Sequence, residues 1–355
     1  MPRKVRSMPF RTLPSRRSLL LPAVLLAVLV CAACGDDDAR PAGDDGATPR
    51  HLTFMAGFRA QANLPFVAVY VAEANGYFAD EGLDIDIRHS SGQDEHLKLL
   101  LSREVAFTTG TAAQLLARRA DGLPVRAVAL FGQRGDQGFV VRADSGIERP
   151  ADFAGKTVGF KAGVVPAELK ALLATAGLSP DDVRLQGVGF DPRVFIEGGL
   201  DVYPVFLSNE PYAIRRAGVD IRVFDPADFG VATLGLTFLA HEDIVRDDPE
   251  LVRRFLRAAL RGIEYAAAHL DEAVEITLRY AEGADPGQQR YLLETDLANA
   301  RRADGIGRSS PEQWEALQAT LLEFGALDRA TDAAAAIDTS FVDALYDRDG
   351  RLQPR

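Results

Sequence analysis

A chain of 355 residues, 47% of them apolar, is long enough for two modest domains. Its formal charge of −11 argues against nucleic acid and against a basic membrane-binding patch as partners. The only cysteines, Cys31 and Cys34, lie near the start, so the rest of the chain has none for disulfides, thiolate catalysis or a zinc cluster.

The first 33 residues carry six basic side chains and no acid, and an apolar run over 19–30 stops at CAACGDDD. A basic start, a short apolar core and a small-residue exit predict a signal peptide over 1–33. The core is too short for a membrane span, which needs about 20 apolar residues. Cys34, with Ala32-Ala33 before it and Gly35 after it, resembles a bacterial lipobox cysteine, although Cys31 stands where Leu or Val is usual. The alternative is an ordinary cleaved signal. Residues 15–20, SRRSLL, also resemble a twin-arginine signal. Losing this leader takes the formal charge to −17. Small, acidic residues then make 34–50 a tether, and the protein is expected to be exported and lipid-anchored, at the outer face of the cell membrane or in the periplasm.

From 51 onward strands and helices alternate, which predicts α/β with largely parallel sheets. Strands are expected at 52–58, 83–88, 105–108, 125–131 and 139–141, with helices at 65–75, 94–102 and up to Gly122. These form a first unit. A second holds strands at 157–160, 183–188, 202–207 and 221–224, and helices at 166–176, 193–197 and 211–217. A strand-like run at 234–240 is followed by helices, starting at Asp248-Pro249-Glu250, where Val252, Phe255, Leu256, Ala259, Ile263 and Ala266 recur at helical spacing. A first unit, an insertion and a return predict a two-lobed, hinge-bending binding protein. Its first lobe would span 51–143 with 238–355 and its second 144–237.

PFVAVYVAEANGYFADEGLDIDI, residues 65–87, resembles the opening signature of a family of bacterial transport-binding proteins. Its members are receptors for thiamine-pyrimidine precursors, with relatives for riboflavin, sulfonates, taurine and nitrate. The pattern is carried by Ala72, Gly76, Tyr77, Phe78, Gly82 and Leu83, and further similar stretches follow at 105–125, 144–160, 190–211, 228–235 and 253–274. The resemblance implies a type II periplasmic-binding-protein fold with its ligand cleft between lobes. It also implies a small-molecule ligand, a permease with an ATPase partner and no cofactor. A monomer is expected. Asn-Glu-Pro at 209–211 resembles the pyrimidine-precursor branch most. The Gly-Tyr-Phe signature itself reads as structural, a helix stop and two packing rings.

Ligand-reading residues are sought at strand ends, where open α/β sheets place their sites. Phe58 is a ring for stacking, and Gln61 and Asn63 are partners for ring nitrogens, unless Asn63 merely caps a helix. Ser91 and Thr109 lie in hydroxyl-rich loops that either cap helices or face the cleft. Gln133 stands at a strand end, and Lys161 in a loop of the second unit. Tyr203 and Phe206 face either core or cleft, which alternation along the strand does not decide. Asn209 and Glu210 end the strand 202–207, where a carboxylate beside an amide matches an amine-bearing pyrimidine and repels sulfonate or nitrate. The alternative is a plain helix start. An enzyme of the same fold, the fungal pyrimidine-precursor synthase, is the runner-up. Scattered histidines and the missing nucleophile, Walker and dinucleotide motifs argue against a chemical step.

Overall fold

The computed structural model describes residues 48–353, which belong to one compact unit starting at Ala47. The leader, Cys34 and most of the tether lie outside the described residues. Among those described, no helix is long and apolar enough to cross a membrane.

The first sheet is laid down by β1 (Arg50–Ala56), β2 (Leu83–His89), β3 (Phe107–Thr111) and β4 (Val125–Leu130). Between them run α1 (Leu64–Ala74), α2 (Tyr77–Asp80), α3 (Glu95–Leu101) and α4 (Ala112–Ala120). Alternating or continuous apolar residues make these strands, and Pro65 at the second position of α1 suits a helix start. Gly76 ends the first turn of the signature at φ 73°, Phe78 is fully buried, and Tyr77 lies under Arg261 at 4.0 Å. The signature therefore packs the core, as its residue types suggest.

The chain then leaves this sheet. β5 (Gln137–Arg142) pairs antiparallel with β8 (Tyr203–Phe206) and with β9 (Ile221–Phe224). β6 (Thr157–Phe160) and β7 (Arg184–Gly187) form a parallel pair, and one bridge, Val158 to Val202, joins them to the chain entering β8. α5 (Ala167–Thr175), α6 (Arg193–Ile196) and α7 (Glu210–Arg216) cover this layer. Two corrections follow. The strand expected at 139–141 belongs with β8 and β9, not with the first sheet, and this second layer is mostly antiparallel. Both arise because pairing partners distant in sequence leave no trace in local periodicity.

β10 (Leu236–His241) returns and inserts antiparallel between β3 and β4, giving the order β2-β1-β3-β10-β4. Helices complete the fold: α8 (Glu242–Asp247), α9 (Pro249–Ala268), α10 (Leu270–Tyr280), α11 (Pro286–Ala300), α12 (Pro311–Glu323) and α13 (Ser340–Asp343). α1, α9, α10 and α11 bury one face of the first sheet, with Phe107 stacked on Phe255 at 4.0 Å. α3, α4 and α12, with Trp314 fully buried, cover the other. The inserted layer has its own two apolar clusters, around Phe153 and around Phe195.

The two sheets communicate through the segments 131–136 and 225–235. Gly235 N–H donates to the Gly132 carbonyl at 2.8 Å, and Gly135 N–H to the Thr233 hydroxyl at 3.0 Å. A Cβ on Gly132 would lie 2.5 Å from the Gly235 Cα, so only glycine lets these two backbones run so close.

Candidate functional site

The connection between sheets, the start of α1, the middle of α11 and the ends of β6 and β8 converge on one group of polar side chains. β8 ends in Ser208-Asn209-Glu210. Pro211 at the second position of α7 starts the helix, while the Asn209 side chain makes no cap bond. Instead, Asn209 accepts from Gln288 of α11 at 3.1 Å through both its side-chain and backbone oxygens. Glu210 is buried. One carboxylate oxygen accepts from the Phe206 N–H at 2.7 Å and the other pairs with Lys161.

Ser208 turns toward the connection, donating its N–H and hydroxyl to Asp136 at 2.9 and 2.8 Å. Burial, then the neighbouring Asp296 and Glu210 carboxylates, push the Asp136 carboxyl up to about 7 against those bonds. Asp296, on α11, accepts from the Leu64 N–H at 2.9 Å and from the Asn63 amide at 3.3 Å. Burial raises it to about 6. Glu210 and Asp136 thus act on one buried amine, that of Lys161, while Asp296 lies beside Asp136. Among the described residues, no His, Cys, Asp and Glu cluster is arranged to hold a metal.

The flat component lies beside Lys161. Phe190 and Phe206 are 60% and 36% exposed, their rings 6.3 Å apart and 13° from parallel. Exposed rings held near-parallel at a sheet end suit a flat ligand. A neighbouring cavity of about 440 Å³ opens along 133–136, with Leu207, Thr295 and Asn299 in its wall.

The expected residues divide accordingly. Lys161, Tyr203, Asn209 and Glu210 meet on the inserted side; Asn63 joins through Asp296, and Gln61 donates to Asn63. Tyr203 is buried, its hydroxyl donating to the Gly189 carbonyl at 3.1 Å, so only its ring faces Lys161. Phe58 is 49% exposed, with Arg59 over its ring. Thr109 accepts from the Gly57 N–H at 2.8 Å and fixes that loop. Ser91 donates to Glu95 of α3, and Gln133 ties the end of β4 to Arg308, Arg302 and Gln313. Ser91 bonds within its own loop and helix, whereas Gln133 lines the cavity that Asp136 also lines.

Asp136, Ser208, Asp296 and Phe190 were outside the expected set, and the sequence left Phe206 open between core and cleft. Two of them carry a signal: Asp296 is an acid among the apolar positions Leu292, Leu293, Leu297 and Ala300 of α11, and Phe190 is an aromatic in the glycine-flanked loop Gly187-Val188-Gly189-Phe190.

Two sheets joined by paired connecting segments, with polar side chains gathered where they meet, define a two-lobed binding-protein fold. The aliphatic sulphonate binding protein SsuA from Escherichia coli shares it, with a TM-score of 0.66 and 16% identity over 82% of this chain and 92% of that one. The chain belongs to the NMT1/THI5-like family, whose model matches residues 63–273. It is 30% identical to the formylaminopyrimidine-binding protein of Halalkalibacterium halodurans, covering 84% of this chain and 92% of the relative. The riboflavin-binding protein RibY of Chloroflexus aurantiacus is 29% identical, over 90% and 95% respectively.

Proposed function

We propose that this chain is the solute-binding component of an ABC importer. It captures an amine-bearing nitrogen heterocycle, a thiamine pyrimidine precursor, between its lobes and hands it to a membrane permease served by an ATPase. The observation that carries the reading is a surplus of carboxyl groups, with Glu210 and Asp136 acting on the single amine of Lys161 and Asp296 beside Asp136, next to the near-parallel rings of Phe190 and Phe206. An aminopyrimidine offers a flat face for the rings and donors for the carboxylates, whereas sulfonate or nitrate brings more negative charge to a surplus of it. Kinship with a formylaminopyrimidine-binding protein supports the same choice.

The lobes turn about 131–136 and 225–235, close to the division into 51–143 with 238–355 and 144–237. Closure brings Phe58, Gln61 and Asn63 over a ring held from the other side. Capture involves no chemical step, and Cys34 carries a lipid that keeps the exported protein at the membrane. Riboflavin is the second reading, favoured by the extent of the match to RibY and by a neutral, donor-rich ring system.

A thermal-shift panel separates these: hydroxymethylpyrimidine, formylaminopyrimidine, thiamine, riboflavin, taurine and nitrate. A ligand at a hundred times its Kd adds about 2.7 kcal/mol. Stabilisation by either of the two pyrimidine precursors is the expected result. Response to taurine or nitrate alone overturns the reading, and response to riboflavin alone replaces it with the second.

A further inference from the structure

Lys161 is buried, its side chain 6% exposed, yet its surroundings differ from those of a structural ion pair. Its Nζ lies 4.8 Å from the centre of the Phe206 ring and 5.3 Å from those of Phe190 and Tyr203. The Glu210 carboxylate closes the remaining side. Aromatic faces and a carboxylate around a positive charge are how proteins bind quaternary ammonium and other soft cations. A lysine needing only its counter-ion would have no use for two largely exposed phenyl rings. Burial also pulls the Lys161 ammonium below its ordinary range, with Glu210 opposing the shift.

The backbone beside Lys161 is the second observation. Ala162 sits at φ 56° and Gly163 at φ 73°. A left-handed backbone crowds the Cβ of an alanine against its own carbonyl, which glycine escapes. Val164, next along, is an apolar side chain left 70% exposed. The amine is thus tethered next to a surface loop whose first residue, Ala162, holds a backbone conformation that alanine disfavours and Gly163 tolerates.

We propose that Phe190, Tyr203, Phe206 and Glu210 form a cation subsite that Lys161 fills from its own tether and yields to the positively charged edge of a heteroaromatic ligand. This deepens the functional reading above and rests on it for the ligand's class. Lys161 is then a competitor of the ligand, and it sets specificity. A cationic ring replaces the ammonium charge for charge, while a neutral or anionic one leaves Glu210 unmatched.

The test compares the full chain with Lys161→Gln, which keeps a hydrogen-bond donor for Glu210, and with Lys161→Met. The probes are tetramethylammonium, which cannot stack, and 1-methylpyridinium, with sodium chloride matching ionic strength. Both variants are expected to bind the two cations at least tenfold more tightly than wild type by calorimetry, and Phe190→Leu added to Lys161→Gln to remove most of that increase. Unchanged or weaker binding in Lys161→Gln overturns the proposal. The same titrations with hydroxymethylpyrimidine and formylaminopyrimidine keep the two ideas apart. No binding of either hydroxymethylpyrimidine or formylaminopyrimidine to wild type removes the pyrimidine reading while the tetramethylammonium result still decides the subsite. Wild-type binding that weakens tenfold in Lys161→Gln makes Lys161 a ligand contact and removes the subsite alone.

Discussion

Two buried glutamates of this protein look alike until their neighbours are compared. Glu81, at the end of α2, pairs with Arg257 at 2.9 Å, and its backbone carbonyl accepts from Arg254. Glu210 pairs with Lys161 and accepts from the Phe206 N–H. Around Glu81 the cations are in surplus and the packing belongs to α9. Around Glu210 the carboxyls are in surplus and exposed rings stand beside it. A buried ion pair therefore does not by itself mark a site. The imbalance of charge and the unburied aromatic surface do.

The sharpest way to break this comparison is to truncate both residues. Glu210→Ala is expected to weaken ligand binding about 100-fold by calorimetry, as loss of a charged hydrogen-bond partner worth about 2.7 kcal/mol. Glu81→Ala is expected to cost about 3 kcal/mol in chemical denaturation with Kd unchanged. The reverse pattern would make Glu81 the functional residue.

Asp136 supplies the next test. Its folded-state pKa, about 7, lies above the ordinary 3.8, so the folded chain keeps a proton that the unfolded chain has released. That contribution to stability is complete below about pH 4 and is lost as pH rises through about 7. Unfolding free energy should therefore fall by about 2 kcal/mol more between pH 5.5 and 7.5 in wild type than in Asp136→Asn. Equal slopes would mean that the carboxyl is not held among other acids.

Phe190 gives a smaller effect. Replacing this exposed ring by Ala should weaken binding about fivefold, near 1 kcal/mol, with thermal stability unchanged. Ser91→Ala should be the mildest, lowering Tm by about 1 °C through the lost bond to Glu95 and leaving Kd alone. A change in Kd there would return Ser91 to the ligand.

The strands and most helices were legible because alternation and helical spacing are local signals, and the Gly-Tyr-Phe segment announced its packing role through residue type alone. Strand partners were not legible. Nothing within 139–141 states that its neighbours lie more than sixty residues onward. At the site, Lys161, Asn209 and Glu210 could be found because strand-end loops are few. Ser91 and Gln133 show why residue type alone does not decide: the types that read ligands also bond within the fold, as Ser91 does to Glu95 and Gln133 to Arg308. Asp136 stayed hidden because it is unremarkable alone, and its meaning comes from the Asp296 carboxyl beside it.

The placement of β10 has a consequence for synthesis. Its slot lies between β3 and β4, so this interior strand of the first sheet arrives only after the entire inserted layer has been made. At ribosomal rates of about 5–20 residues per second, the intervening hundred or so residues impose a delay of roughly 5–20 s. During that interval β3 and β4 each present an open edge of the kind that recruits foreign strands. Fragments ending before Leu236 should for that reason aggregate, and a nascent chain benefits from a holdase until the last strand closes the gap.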